Sequence, residues 1–452
     1  MALKKDSFRR EYWSRLPFPF ELRVYIFNVT NPDDIAKGGK PILNEVGPFI
    51  YDILHEKINQ EDDEENDTVS YTVNNTYYFN IEKSNNLSDN MELTLVDLLT
   101  FGTANAIMKS SPALISLAAK AVDIIGNNPQ NLFEKQTAKT LLFDGHSYSC
   151  EGVTEPIGLA CCNDIKVSYQ KYRILRRSEN VFAFSIFGAV NETDIYHGKT
   201  CIRRGIRNIM EVGDVVKHNG LKNISVWKDD ECDQFRGTDG IAFHPFLNKK
   251  KNKYLYVTST FYCRNFVYKY ESDIEFNGLK LLRYTTSVGT DTATNEKDKC
   301  YCITPDRCLK DGVFEIWKCF TNAFILSNPH FYLADKSYVD GVEGVNPNKD
   351  AHMIILDIDP LTGLVIRSHF RIQYSLILMN LEKYRLMKEV RDAFFPLMWA
   401  DEVMILPDFI VKRIKQIHAM VTVAQVVSYV MMSIGLTICG YILYRAYKSR
   451  RE

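Results

Sequence analysis

The chain has 452 residues, with 55 Lys and Arg against 56 Asp and Glu, for a formal net charge of −1. A balance this close to zero argues against a nucleic-acid partner, which would need a basic face. The apolar fraction of 46% suits a large folded core, in one domain or in two or three smaller ones, and no Gly/Ser linker, fixed-period repeat or low-complexity tract divides the chain.

The N-terminal stretch MALKKDSFRREYWSRLPFPF has neither an apolar h-region nor a cleavage site. The expectation is a hydrophobic segment ahead of Met1, giving a two-pass protein with residues 1–15 next to the membrane. RVYIFNVT (Arg23–Thr30) is β-branched and aromatic and reads as a strand. The acidic run Glu61–Asp67 reads as a solvated loop between strands. Beyond it, Val69, Tyr71 and Val73 alternate with Ser70, Thr72 and Asn74, which is strand periodicity.

A helix then interrupts the pattern, with Ser111 as expected N-cap, Pro112 at the first position and Gly126 as a left-handed stop. Leu114, Leu117, Ala118, Ala121 and Ile125 form its apolar stripe, widened by Ile115, Val122 and Ile124. That stripe is either a core face or an exposed surface for a lipid-like ligand or partner. In VFAFSIFGAV, Phe182, Phe184 and Ile186 share a strand face.

After the turn Asp359–Gly363, Leu364, Ile366, Phe370, Ile372, Tyr374, Leu376 and Leu378 share one face, broken by Ser368. Arg367, His369, Arg371, Gln373 and Ser375 take the other, as in an antiparallel strand with one wet side. Leu381–Met420 reads as helical, with Phe394, Phe395 and Trp399 suited to a surface near the bilayer. Val421–Tyr444 carries no charge, and its 24 residues rise roughly 36 Å, enough for a ~30 Å hydrocarbon core. Arg445, Lys448, Arg450 and Arg451 follow, which places residues 445–452 in the cytoplasm.

Two kinds of motif bear on the compartment. KCYCITPDRCLKDGVFEIWKC (Lys299–Cys319) has no C-x-x-C pair, which argues against a zinc site and against a thioredoxin-like centre. With eleven cysteines in all, disulfides and an oxidising compartment are the leading reading. Sequons at Asn28, Asn66, Asn74, Asn86, Asn191 (with Thr193) and Asn223 agree with an extracellular face. Catalytic signatures are missing: there is no G-x-S-x-G, H-E-x-x-H, P-loop or G-x-G-x-x-G. His330 reads as a structural histidine more than a general base, and Asp359 as the opener of a turn more than half of a metal pair with Asp357. No catalytic residue, metal ligand or cofactor is assigned, and no ligand-binding residue is named.

LPFPFELRVYIFNVTNPDDIAKGGKPILNEVGPFIYD (Leu16–Asp52), CDQFRGTDGIAFHPF (Cys232–Phe246), CRNFVYKYESDIEFNGLKLLRY (Cys263–Tyr284) and the cysteine cluster running into SNPHFYLAD resemble the class B scavenger receptor and fatty-acid translocase family. RRGIRNIMEVGDV (Arg203–Val215), WKDDECDQFRGTDG and GVNPNKDAH (Gly344–His352) are most similar to its insect sensory neuron membrane proteins. The resemblance implies an α+β fold: a large antiparallel β-rich ectodomain over residues 16–420, with an apical helical bundle and an internal hydrophobic tunnel, held by a transmembrane helix at 421–444. It also implies the pairs Cys232–Cys300, Cys263–Cys319 and Cys302–Cys308, the last closing a loop around Pro305. Cys150 is left to Cys161 or Cys162, Cys201 is left unpaired, and Cys439 lies in the membrane helix.

The lysine that some relatives place on the apical bundle has no counterpart in Gly126–Gln136, with Lys120 and Lys135 only its neighbours, and an uncharged gate would fit neutral esters or aldehydes. The function implied is a plasma-membrane receptor, ectodomain outside, that binds lipid-derived odorants such as fatty-acyl pheromones. It would pass them through the tunnel to a membrane odorant receptor. The alternative is a scavenger or lipid-uptake receptor for fatty acids, lipoproteins or apoptotic cells.

Overall fold

The computed structural model describes residues 1–191, 198–292, 295–304, 307–320 and 323–450. Thr193, Pro305 and Arg451 lie outside the described residues. Aromatic and β-branched runs form the main strands. In chain order these are β1 (Phe20–Val29), β2 (Leu43–Asp63), β3 (Thr68–Phe79), β4 (Thr200–Arg203), β5 (Val215–His218), β6 (Tyr254–Ser259), β7 (Arg264–Phe276), β8 (Leu279–Thr286), β9 (Ile354–Ile358), β10 (Val365–Leu378) and β11 (Ala393–Ile405). They make one antiparallel sheet in the order β5-β4-β3-β2-β1-β11-β10-β9-β8-β7-β6, with the short strands Val313–Glu315 and Ile325–Ser327 attached beside β10. The helices that matter are α1 (Phe8–Ser14), α2 (Leu98–Ser110), α3 (Ile115–Ile125), α4 (Pro156–Ser168) and α5 (Asp408–Ser449).

The two edges of the sheet are bridged. The loop 236–240 runs between β5 and β6, where the Val215 amide donates to the Gly237 carbonyl at 2.8 Å. On its other side the Thr238 amide donates to Tyr256 at 3.2 Å, and the Thr258 amide donates to Thr238 at 2.9 Å. The sheet therefore curls into a barrel with one seam, and its edge groups gain partners. Gly237 has φ +74°, and a Cβ there would lie 2.0 Å from the Tyr256 carbonyl oxygen, so the seam requires glycine.

Several expectations are corrected. Residues 393–405 form β11 rather than helix, lying between β1 and β10. A strand covered on both faces is apolar along its length, and that pattern resembles a buried helix. Trp399 is accordingly in the core, stacked on Tyr25 at 4.0 Å, and Phe395 is buried. The polar side of β10 is not wet: Gln373 and Ser375 are fully buried, while Arg367 pairs with Asp357 at 2.7 Å and Arg371 with Asp401 at 3.2 Å. In the acidic run, Glu61–Asp63 continue β2, and Asp62 pairs with Arg10 at 2.8 Å and Arg204 at 3.0 Å. The basic stretch after β4 is brought there because β4 pairs with β3.

The helix expected from Ser111 opens as a 3₁₀ turn at Pro112–Leu114, without a side-chain cap from Ser111. Gly126 has φ −83°, and the left-handed residues are Asn127 and Asn128. Its buried side is Ile115, Ala118, Val122 and Ile125, whereas Leu114 and Leu117 are exposed at 47% and 46%. In VFAFSIFGAV the strand stops at Phe184, and Gly188–Val190 is a 3₁₀ turn.

The bundle α2–α4 and the start of α5 lie at opposite ends of β10. Asn105 of α2 bonds both backbone groups of Ile377, at 2.9 and 3.0 Å. Ile366 instead packs in a cluster with Leu406, Ile410 and Ile414. The eleven residue steps from 366 to 377 span roughly 36 Å of strand. From Thr422 to Arg450 every α5 side chain is exposed, as a membrane span requires.

Candidate functional site

Inside the barrel is a cavity of about 320 Å³. That is within the range of small-ligand sites. Its wall draws on strands around the barrel, with Leu22 from β1, Tyr77 from β3, Val257 from β6, Tyr268 from β7, Phe370 from β10 and Met404 from β11. Ser368, Phe370, Ile372 and Tyr374 are the β10 side expected from sequence to be apolar, and they line it. A void of about 20 Å³ shares Tyr262 and Tyr374 with the cavity. Another of about 40 Å³ shares Ile241 and Met404 and reaches Leu406 and Ile410, where α5 begins.

Among the described residues lining the cavity are two acids and one lysine, Asp239, Glu402 and Lys57. Lys57 and Asp239 pair at 3.4 Å, with side chains 1% and 12% exposed. Asp239 also accepts from Trp13 Nε1 at 3.2 Å and from the Tyr71 hydroxyl at 3.0 Å. Burial works to raise the Asp239 carboxyl, but Lys57 and these hydrogen bonds outweigh it and hold the pKa below the ordinary range. Burial lowers the Lys57 ammonium, with Asp239 opposing.

The second acid, Glu402, has no hydrogen-bond or ion-pair partner among the described residues. It sits on β11 between Leu22 of β1 and Phe370 of β10. The surface it exposes faces the cavity. Burial, helped by Asp401, pushes its carboxyl up to about 7. Its ionised form acts on a set of tyrosines. Burial first and Glu402 second raise the hydroxyls of Tyr77 and Tyr268, while burial, Tyr374 and then Glu402 raise Tyr262. Tyr262 and Tyr374 hydroxyls lie 3.0 Å apart. Sequence reading missed this acid. Its signal was the alternation Ala400, Glu402, Met404, which a helical reading of the stretch conceals.

Disulfides brace the wall. Cys232–Cys300, Cys263–Cys319, Cys302–Cys308 and Cys150–Cys162 have Cα separations of 6.2, 5.8, 5.0 and 5.8 Å. Cys232 leads into the seam loop, so its bond to Cys300 ties that loop to the cysteine cluster. Cys162 lies on α4 and anchors the bundle. Cys161, Cys201 and Cys439 are free. Asp229 comes within ligand distance of Cys232 and Cys300, but those two sulfurs are bonded to each other.

Of the sequon asparagines, Asn66, Asn86 and Asn223 are exposed and Asn74 is half-buried on β3. Asn28, on the inner strand β1, accepts from the Thr94 amide at 2.8 Å, and Asn191 accepts from the Tyr77 amide at 3.2 Å. His330 is fully engaged: Nε2 meets Glu45 at 2.6 Å and Nδ1 accepts from the Asn346 amide at 2.9 Å. Asp359 caps its turn, accepting from the Thr362 amide at 2.9 Å, and Asp357 holds Arg283 and Arg367.

A barrel with an apolar interior, joined to an exposed apolar helix, defines a membrane-anchored binding protein for apolar ligands. A model of the CD36 family matches residues 1–446, and the chain belongs to that family. It is 31% identical over 440 residues to Sensory neuron membrane protein 1 of Apis mellifera, covering 97% of this chain and 83% of that protein. The proteins of the same name from Antheraea polyphemus and Bombyx mori are 34% and 33% identical, each covering 96% of this chain and 82% of the relative. The chain is thus a membrane lipid-binding receptor of sensory or scavenger type.

Proposed function

We propose that this receptor takes up lipid-derived odorants, fatty-acyl pheromones in particular, and passes them through the barrel to an odorant receptor in the membrane of an olfactory neuron. The ectodomain, residues 16–420, is then extracellular and glycosylated, and residues 445–452 are cytoplasmic. The observation that carries the reading is the succession of voids from the tyrosine end of the barrel to Leu406 and Ile410 at the root of α5. An apolar chain moving along it stays out of water, and each methylene so shielded is worth about 0.8 kcal/mol. The relatives named for sensory neurons favour odorants over general lipid uptake.

The test is co-expression of the full chain with an odorant receptor in cultured cells, recording currents evoked by that receptor's pheromone. Wild type should raise sensitivity or speed onset. Ala400→Trp, which places an indole in the cavity, should abolish the gain while leaving surface expression intact. A plugged variant that works as well as wild type rejects the internal route. Transcripts confined to gut or haemocytes, with none in antennal sensilla, would favour the scavenger reading.

A further inference from the structure

Glu402 is an unusual residue for the wall of an apolar cavity. Its side chain is exposed to the cavity, and holding a carboxyl among apolar neighbours is costly, more so for its charged form. Yet the strand places it there in fixed register, flanked by Leu22 and Phe370. Neighbouring positions on the same side of β11, Ala400 and Met404, are apolar and also line the cavity.

The charged groups nearby do not answer it. Asp401, next along β11, is bound to Arg371 at 3.2 Å and to His369 at 2.8 Å. Arg23 is in register with Asp401, and its guanidinium pairs with Glu21 at 2.6 Å. Lys57 and Asp239, elsewhere in the cavity, are paired with each other. His55 bonds Asn75 at 2.8 Å. What couples to Glu402 across the cavity is the set Tyr77, Tyr262, Tyr268 and Tyr374.

We propose that Glu402 is the polar anchor of the ligand site, donating a hydrogen bond from its acid form to the one uncharged oxygen of a long-chain aldehyde, ester or alcohol. This rests on the lipid-binding reading above and narrows its ligand class. In its acid form the carboxyl offers a donor and an acceptor to the cavity it faces, and a ligand oxygen beside it can accept from that donor. A fatty-acid anion is disfavoured at the same place once Glu402 ionises, because two carboxylates would then meet in low dielectric. The upward shift of this carboxyl agrees with an acid form near neutral pH.

The experiment measures binding of hexadecanal, hexadecanol, hexadecane and palmitate to the full chain in detergent. Wild type should bind hexadecanal, more weakly as pH rises through about 7. Glu402→Leu should weaken hexadecanal about tenfold, the size of one net hydrogen bond, and leave hexadecane unchanged. Glu402→Gln keeps a donor and should bind hexadecanal within about threefold of wild type, without the pH dependence. Unchanged hexadecane binding by the variants also shows that they fold. Unaltered hexadecanal binding by Glu402→Leu, or tighter binding of palmitate than of hexadecanal by wild type at a pH above that transition, overturns the anchor alone. Failure of wild type to bind any of the probes overturns the lipid-binding reading as well.

Discussion

Replacing Asp239 with Ala tests how the barrel is held at its seam. The Lys57 ammonium is 1% exposed and Asp239 is its ion-pair partner, at 3.4 Å. The same carboxylate accepts from Trp13 of α1, Tyr71 of β3 and the Ile241 amide, so its loss strands a buried charge and leaves three donors without their acceptor. Breaking a buried pair from one side costs about 3–5 kcal/mol, and we expect a loss of about 4. That is a large share of a typical folding free energy of about 5–15 kcal/mol. Removing the charge as well, with Lys57→Met in the Asp239→Ala background, should recover about 2 kcal/mol, because no buried ion then remains. Chemical denaturation of the full chain in detergent, followed by tryptophan fluorescence, gives both numbers. The sign of the pH effect follows from Asp239, whose folded pKa is depressed. Its contribution is present above the unfolded value of about 3.9 and is lost as pH falls through the folded value, so the Ala variant should lack that acid step. A single-variant loss under about 1 kcal/mol, or a double variant no more stable than the single, would refute the reasoning.

Loop length ranks the disulfides. Cys263–Cys319 spans 56 residues and its removal as a Ser pair should cost about 4 kcal/mol, against about 2 for Cys302–Cys308, which spans 6. Melting curves of the two double variants decide it, and equal losses would contradict the chain-entropy account. His352 is buried 4.4 Å from the His330 ring, and burial foremost, then His330, lowers its pKa to about 4. Since the unfolded imidazole binds a proton near 6.5, stability should fall by about 2 kcal/mol between pH ~7 and ~5, and His352→Gln should flatten that slope. An unchanged slope in denaturation midpoints would exclude His352 as its source.

Sequence by itself determined what depends on neighbours along the chain. Val421–Tyr444 is an apolar helix wherever it is put, and the alternation at Val69–Val73 and Phe370–Tyr374 is that of strands whose sides differ. The cysteine and RGTDG motifs were enough to place the chain in a family, and with it the antiparallel β-rich ectodomain and its helices, but not the closure of the sheet into a barrel. Tertiary structure decided what depends on residues far apart. Residues 393–405 look helical until β1 and β10 pair along both edges, since a run of apolar residues reports burial without reporting direction. Gln373 and Ser375 look solvated until the segments around Ser327 and His330 meet them. No local pattern distinguishes Asp62, which meets Arg10 and Arg204, from Glu402, which faces the cavity beside Leu22 and Phe370. The difference between a salt bridge and an unanswered acid lies in which strands the fold brings alongside, and a charge becomes costly or useful only once its surroundings have excluded water.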